Sequence, residues 1–289
     1  MADPGALDGV RVIDAGQIIA GPFAATILGE FGAEVIKVEQ PGIGDASRGA
    51  GGMAAEFAQN SRNKRSITLD LRRPEGQRLF KHLVMVSDVV VENFLPGTME
   101  RWHLGYEDLA AINPGIVMLR SSGYGQTGPY KHRYSFDRIA LAFAGLTHLT
   151  GMPDHPPVRP GYFIADYSTG FLGAFGVLAA LRHRDGPGKG RGQVVDVSLY
   201  ETIWRMSGIL PTTLPQPERC AIAWGTRSPV SHRRNSSKRP TANISLSMPA
   251  AIGRSSGSAA RWVMPNSRRI QGLPDAGAGS SIWMNFISA

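Results

Sequence analysis

Val10 to Glu39 reads VRVIDAGQIIAGPFAATILGEFGAEVIKVE. Its first residues, Val10–Asp14, form a short apolar run that ends on a polar residue, as a buried parallel strand does. Gly21–Gly32 then sets Phe23, Ile27, Leu28 and Phe31 at helical spacing, with Pro22 suited to the first turn of a helix. Glu34–Glu39 (EVIKVE) alternates as a second strand. Strand, helix and strand in this order are one βαβ unit with a right-handed crossover.

The same alternation continues downstream. Ser66–Leu71 (SITLDL) reads as a third strand and Pro74–Val86 as a helix with proline at its start. Asp88–Asn93 (DVVVEN) is a fourth strand, Ile116–Arg120 a fifth and Gln193–Ser198 (QVVDVS) a sixth, with a strongly apolar helix over Gly170–Arg182 before it. The fold class is therefore α/β and Rossmann-like: a mostly parallel sheet with helices on both faces. No internal repeat is visible.

Composition narrows the class further. A chain of 289 residues allows one large or two small domains, at about one domain per ~150 residues. With 42% hydrophobic and 19% charged residues it can bury a core and is neither collagen, coiled coil nor wholly disordered. The single cysteine, Cys220, excludes a disulfide framework and fits a reducing compartment. The opening MADPGALDGV has no basic region followed by an apolar one. The longest apolar run, Phe171–Leu181, is shorter than the about 20 residues needed to cross a bilayer. The expectation is a soluble, cytoplasmic protein without a membrane partner.

The net charge of +8 is unevenly placed. Residues 1–210 hold 21 Lys and Arg against 21 Asp and Glu, whereas residues 211–289 hold 10 basic residues and two acids, Glu218 and Asp275. The same tail carries 13 serines against 10 in the first 210 residues, and its apolar periodicity dissolves. The expected organisation is a Rossmann-like domain over 1–206 and an irregular, basic, Ser/Arg-rich tail over 207–289, read as disordered. A nucleic-acid-binding arm is disfavoured, because the basic residues are scattered and not interleaved with aromatics. A flexible tail or an out-of-frame stretch of a GC-rich gene fits the composition better.

Several motifs can be weighed on chemistry. A dinucleotide site wants G-x-G-x-x-G after the first strand. The loop from Ala15 to Pro22 has the wrong glycine spacing, and Ile18 and Ile19 add bulk where backbone should be bare. Gly186–Gly192 (GPGKGRG) lacks the Ser or Thr that follows Lys in a P-loop and reads as a helix-to-strand turn. Gly253–Gly257 matches G-x-S-x-G but lies in the tail, away from any strand–helix junction. The seven histidines show no metal-ligand spacing, and no metal is expected. Asp166, in FIADYSTG at the mouth of the apolar helix, is either that helix's N-cap or a carboxylate nucleophile held ionised by the helix dipole.

Four segments together resemble the family III CoA-transferases, which include formyl-CoA transferase and share a fold with the α-methylacyl-CoA racemases. They are DGVRVIDAGQIIAGPFAATILGEFGAEVIKVEQP, NKRSITLDLRRPEG, DVVVENFLPGTMERWHLGYEDLAAINPGIVMLRSSGYGQTGPY and IADYSTGFLGAFGVLAAL, and the likeness runs from about Leu7 to Arg205. The resemblance implies transfer of coenzyme A from an acyl-CoA, with succinyl-CoA the guess, to a small carboxylic acid. The aspartate at Asp166 would form a mixed anhydride and then an aspartyl-CoA thioester. Acyl-CoA would bind as a substrate, with no tightly held cofactor. By position, CoA contacts fall to Ile19 and Ala20, to Asp70, Leu71 and Arg72, and to Asn93, Phe94, Leu95 and Arg101, with Gly123, Tyr124 and Gly125 on the acyl side. Gln40 and Leu95 stand where the family often has basic residues, so two phosphate contacts would be missing.

The racemase branch places a histidine where this chain has Phe136, which cannot move a proton, so transferase is the expectation. The family's interlocked homodimer and the glycine-rich loop over its site belong to a part that the tail does not resemble. An inactive CoA-binding remnant, truncated or frameshifted, is therefore the alternative.

Overall fold

The structure, a computed structural model, describes residues 5–49, 53–152 and 154–208. The readings placed on residues 209–289, Cys220 and Gly253–Gly257 among them, lie outside the described residues. Among the described residues, six strands form one sheet: β1 (Arg11–Asp14), β2 (Glu34–Glu39), β3 (Lys64–Thr68), β4 (Val89–Glu92), β5 (Val117–Ser122) and β6 (Val194–Ser198). Their order is β3-β2-β1-β4-β5-β6 and every neighbouring pair is parallel. The order reverses between β1 and β4, which opens a crevice at the carboxyl ends of the strands. The α/β, Rossmann-like expectation is met.

The helices are α1 (Ala20–Glu30), α2 (Ala54–Asn60), α3 (Pro74–Met85), α4 (Thr98–Arg101), α5 (Tyr106–Ala110), α6 (Asp137–Phe143), α7 (Leu146–Leu149), α8 (Ile164–Arg184) and α9 (Leu199–Met206). Strand side chains alternate between two apolar layers. Val12, Val89, Val91, Val117 and Leu119 face α1 and α8, while Ile13, Val90 and Met118 face Phe80 and Val84 of α3, Met99 of α4 and Leu109 of α5. Helices therefore cover both faces. A third cluster, Ala140, Leu141, Ala165, Leu199 and Ile203, ties α6 and α9 to the start of α8.

Two elements differ from the sequence reading. β3 runs over Lys64–Thr68 rather than 66–71. Ile67, Leu69 and Leu71 all still face the core, so the apolar alternation outlasts the hydrogen-bonded ladder. Where the chain leaves the sheet, Gly76 of α3 lies against the Asp70 carbonyl, where a Cβ would sit 2.1 Å from the oxygen.

The apolar helix is longer than expected, 21 residues instead of 13. By length and hydropathy it is the one described helix able to cross a membrane, although 44% of its apolar window is buried within the fold. Gly170 and Gly173 let it lie close to α1 and β5. A Cβ at Gly170 would meet Phe23 at 2.7 Å and the Ala20 carbonyl at 3.1 Å, and one at Gly173 would meet Leu119 at 2.9 Å. α8 is thus a core helix on one face, with Phe171, Leu172 and Phe175 exposed on the other.

Candidate active site

The turn from β1 to α1 sits at the crevice and is fixed almost atom by atom. Gly16 N–H donates to Asp14 Oδ1 (3.0 Å), Gln17 N–H to Asn93 Oδ1 (2.7 Å) and Ile18 N–H to Asp45 Oδ1 (3.2 Å). Lys37 Nζ donates to the Gly16 carbonyl (3.0 Å) and Asn93 Nδ2 to the Gln17 carbonyl (2.7 Å). Four buried charges stand behind the turn. Lys37 pairs with Asp45 (2.9 Å) and Asp14 (3.5 Å), and Lys64 pairs with Asp14 (2.8 Å). Two lysines face two aspartates, so the buried charge is balanced, as it must be to fold.

Within this cluster Lys37 is raised above the usual lysine range: Asp14 and Asp45 outweigh the opposing effect of its burial, the largest single influence. In Lys64 burial wins and the value is lowered. The Asp45 carboxyl is lowered, Lys37 and Ser47 together overcoming its burial. Asp45 is thus held as an anion.

The start of α8 lies beside this turn. Ile18 and Ile19 pack in one cluster with Phe163 and Tyr167, and the Phe23 and Tyr167 rings meet edge to face at 4.7 Å. Asp166 is the third residue of α8, one turn before Gly170 and on the same side. Gly170 abuts Ala20 at the beginning of α1, whose N-terminus carries no side-chain cap.

The N-cap reading of Asp166 is incorrect. α8 is capped from outside: Asp137, the first residue of α6, accepts from Ala165 N–H (2.7 Å) and Asp166 N–H (3.4 Å) through Oδ1, while its buried Oδ2 has no partner. With those donors taken, the Asp166 carboxyl is not held ionised as the helix dipole alone would suggest. Burial, and then the neighbouring Asp137, push it up to about 7. The Asp137 carboxyl is itself raised, by burial first. Near neutral pH the site therefore holds a carboxyl poised between acid and base, and among the described residues Asp166 forms no ion pair. A carboxylate this basic is a better nucleophile than an ordinary aspartate.

The other expected residues fall on the same rim. Ile19 and Ala20 are buried at the first turn of α1. Asn93 follows β4 and spends its amide on Gln17, as above. Phe94 packs edge to face on Trp102 (5.1 Å), and its N–H donates to Glu92; Leu95 follows, half-buried. Leu71 is buried, whereas Asp70 and Arg72 form a two-pronged pair at the surface, at 2.8 and 3.0 Å. Arg101 is exposed and donates to Thr98. Neither guanidinium is buried, so both remain accessible to phosphate.

After β5, Gly123 abuts Ser135, where a Cβ would lie 2.2 Å from the serine Cβ, and this brings the Ser135–Asp137 segment to the end of the sheet. Tyr124 joins Tyr130, Phe143 and Tyr200 in an aromatic group with centroids 5.1 to 5.7 Å apart. Gly125, Tyr124, Tyr130, Asp196 and Glu201 line a cleft of about 140 Å³ there. That is smaller than pockets for whole drug-sized ligands, of about 300 Å³ and above. An acyl-CoA would have to lie across the open rim. Among the described residues, no group of three or more His, Cys, Asp and Glu is placed to hold a metal.

A sequence model of CoA-transferase family III matches residues 7–235. The chain belongs to this family. Among curated relatives it is 55% identical, over 207 residues, to the succinyl-CoA–L-malate CoA-transferase beta subunit of Chloroflexus aurantiacus. That match covers 70% of this chain and 51% of the relative. It is 51% identical to an alpha subunit from the same organism, over 69% of this chain and 48% of that one. It is 45% identical to the mouse succinyl-CoA:glutarate CoA-transferase, over 64% and 43% of the two chains. A CaiB/BaiF family protein from Brucella suis superposes with a TM-score of 0.73 at 35% identity, covering 77% of this chain and 61% of that one. The chain spans about half the length of the curated relatives it matches.

Asp137, Lys37, Lys64 and Asp45 carry much of the site and were not singled out from sequence. Asp137 had a trace there, as the residue after Phe136 in the racemase comparison. The other three gave only a faint signal, polar residues inside or just after strands.

Proposed function

We propose that the chain transfers coenzyme A from an acyl-CoA donor, succinyl-CoA by similarity to its relatives, to a small carboxylic acid, with Asp166 as nucleophile. The observation that carries this reading is the carboxyl of Asp166 at the start of α8, raised to about 7 and, among the described residues, in no ion pair. Its carboxylate attacks the thioester carbonyl and expels the CoA thiolate, leaving a mixed anhydride. The thiolate returns to the aspartyl carbonyl, releasing the donor acid and forming an aspartyl-CoA thioester. The acceptor carboxylate attacks that thioester, and the freed thiolate takes up the acceptor's acyl group from the second anhydride. The uncapped first turn of α1, which Gly170 abuts, offers backbone N–H groups to the oxyanions these steps create. The names alpha and beta subunit among the relatives support work in a pair of chains.

The experiment is trapping. The chain is incubated with succinyl-CoA, quenched with hydroxylamine and mapped by peptide mass spectrometry. A hydroxamate on Asp166 that needs acyl-CoA is expected. An unlabelled Asp166 in folded protein would overturn the transfer mechanism.

A further inference from the structure

The three N–H groups of Gly16, Gln17 and Ile18 each donate to a different side chain, and the third is the unusual one. Ile18 is β-branched yet adopts a left-handed backbone, φ 66°, a conformation such residues avoid. Its N–H meets both oxygens of Asp45, at 3.2 and 3.3 Å. Asp45 arrives from the loop after β2 and is built in on every side. Its own N–H donates to Glu39, Ser47 gives it both backbone N–H (2.9 Å) and hydroxyl (2.5 Å), and Lys37 completes the shell at 2.9 Å. Of the anchors on this turn, Asp14 and Asn93 belong to or directly follow strands of the sheet; Asp45 alone is carried in by a separate loop.

We propose that Asp45 is a positioning residue for acyl-CoA binding. By holding Ile18 left-handed it sets the direction in which Ile19 and Ala20 enter α1, and with it the wall of the crevice opposite Asp166. This deepens the transferase reading and rests on it. The acceptor oxygen is what holds the Ile18 N–H, so asparagine should preserve binding where alanine does not, although either substitution unbalances the buried charge around Lys37 and lowers the melting temperature.

The test uses the full 289-residue chain with Asp45→Ala, Asp45→Asn and Ser47→Ala. Hydroxamate formation at Asp166 is followed against succinyl-CoA concentration, and CoA binding is measured by calorimetry. Asp45→Ala should raise the half-saturating concentration and the CoA dissociation constant about tenfold with the maximal rate within about twofold, since a turn displaced by a fraction of an ångström spoils binding geometry. Asp45→Asn should stay within about threefold of wild type, and Ser47→Ala, which only loosens Asp45, should fall between.

A loss confined to melting temperature or maximal rate, with half-saturation unchanged, would mean a merely structural residue and overturns the proposal. If Asp45→Ala fails to fold, Ser47→Ala decides by the same criterion. A wild type that binds CoA without labelling Asp166 would sink the transfer mechanism, while weaker CoA binding by Asp45→Ala would still uphold the positioning role. A wild type that binds no CoA overturns both.

Discussion

Two pairs of aspartates lie along one rim and are treated in opposite ways. Asp14 and Asp45 are buried behind the β1–α1 turn and are matched by Lys37 and Lys64. Asp137, the first residue of α6, caps the start of α8 beside Asp166; among the described residues neither carboxyl forms an ion pair, Arg159 and Arg138 only partly offset the burial of Asp137, and both carboxyls are raised. In the first pair the lysines compensate desolvation and the carboxylates become fixtures that hold backbone. In the second, desolvation is only partly offset at Asp137 and not at Asp166, and both values stay raised. A buried acid paired with a base is scaffold; one left beside a like charge is a place for chemistry.

The most forceful way to break this distinction is to remove one member of each pair. Asp166→Asn should abolish hydroxamate formation and lower transfer by about 10³-fold or more, because a nucleophile has no substitute. The same variant should fold normally. Lys37→Met should do the reverse: with Asp14 and Asp45 losing their shared cation, it should cost about 3–5 kcal/mol, a fall in melting temperature of about 10 °C or more. Thermal melts of both proteins at neutral pH check the contrast. Equal destabilisation by the two substitutions would show that the pairs do not differ in kind.

A finer test uses pH. The folded-state value of Asp166 is raised to about 7, so the folded chain keeps its proton better than the unfolded chain does. Its ionisation therefore costs stability progressively as pH rises from about 4 to 7, and the whole cost is present above that. Asp166→Asn should consequently be more stable than wild type at pH 8, by about 1–3 kcal/mol, with the difference vanishing at pH 4. Glu39 works the other way. Arg48 and Ser66 outweigh its burial and hold it at about 2, so its contribution is full above the ordinary glutamate value and is lost as pH falls towards 2. A gain from Asp166→Asn that did not depend on pH would detach it from the carboxyl's charge.

The fold was legible in Val10–Glu39 because strands buried on both faces and the helix between them announce themselves by apolar period. What period could not supply was partnership. Asp166 looked like a cap because helix-start chemistry usually sits next in sequence. Here the cap comes from Asp137, 29 residues earlier by number, through a loop whose path no local pattern encodes. Lys37 lies inside a strand, and only the pairing of β2 with β1 and β3 reveals that its side chain reaches two aspartates. Arg72 and Arg101, expected as CoA contacts, lie exposed at the surface. The frame and the proposed nucleophile could thus be picked out from local pattern, and the long-range charge pairs could not.

The smallest expected effect isolates the repulsion between Asp137 and Asp166. Asp137→Asn keeps an oxygen to accept from Ala165 N–H, so the cap on α8 survives, but it removes the charge facing Asp166. Burial remains the larger cause of the raised value, and the charge of Asp137 the second. The pH midpoint for Asp166 labelling should therefore move down from about 7, by about one unit, without returning to the ordinary aspartate range. The readout must be the labelled peptide rather than turnover, because burial also pushes Glu92, beside Arg120, up to about 7. An unmoved midpoint would mean that Asp137 carries its proton throughout this range. Burial alone would then set the reactivity of Asp166, and the like-charge half of the contrast between the two pairs would have to be given up.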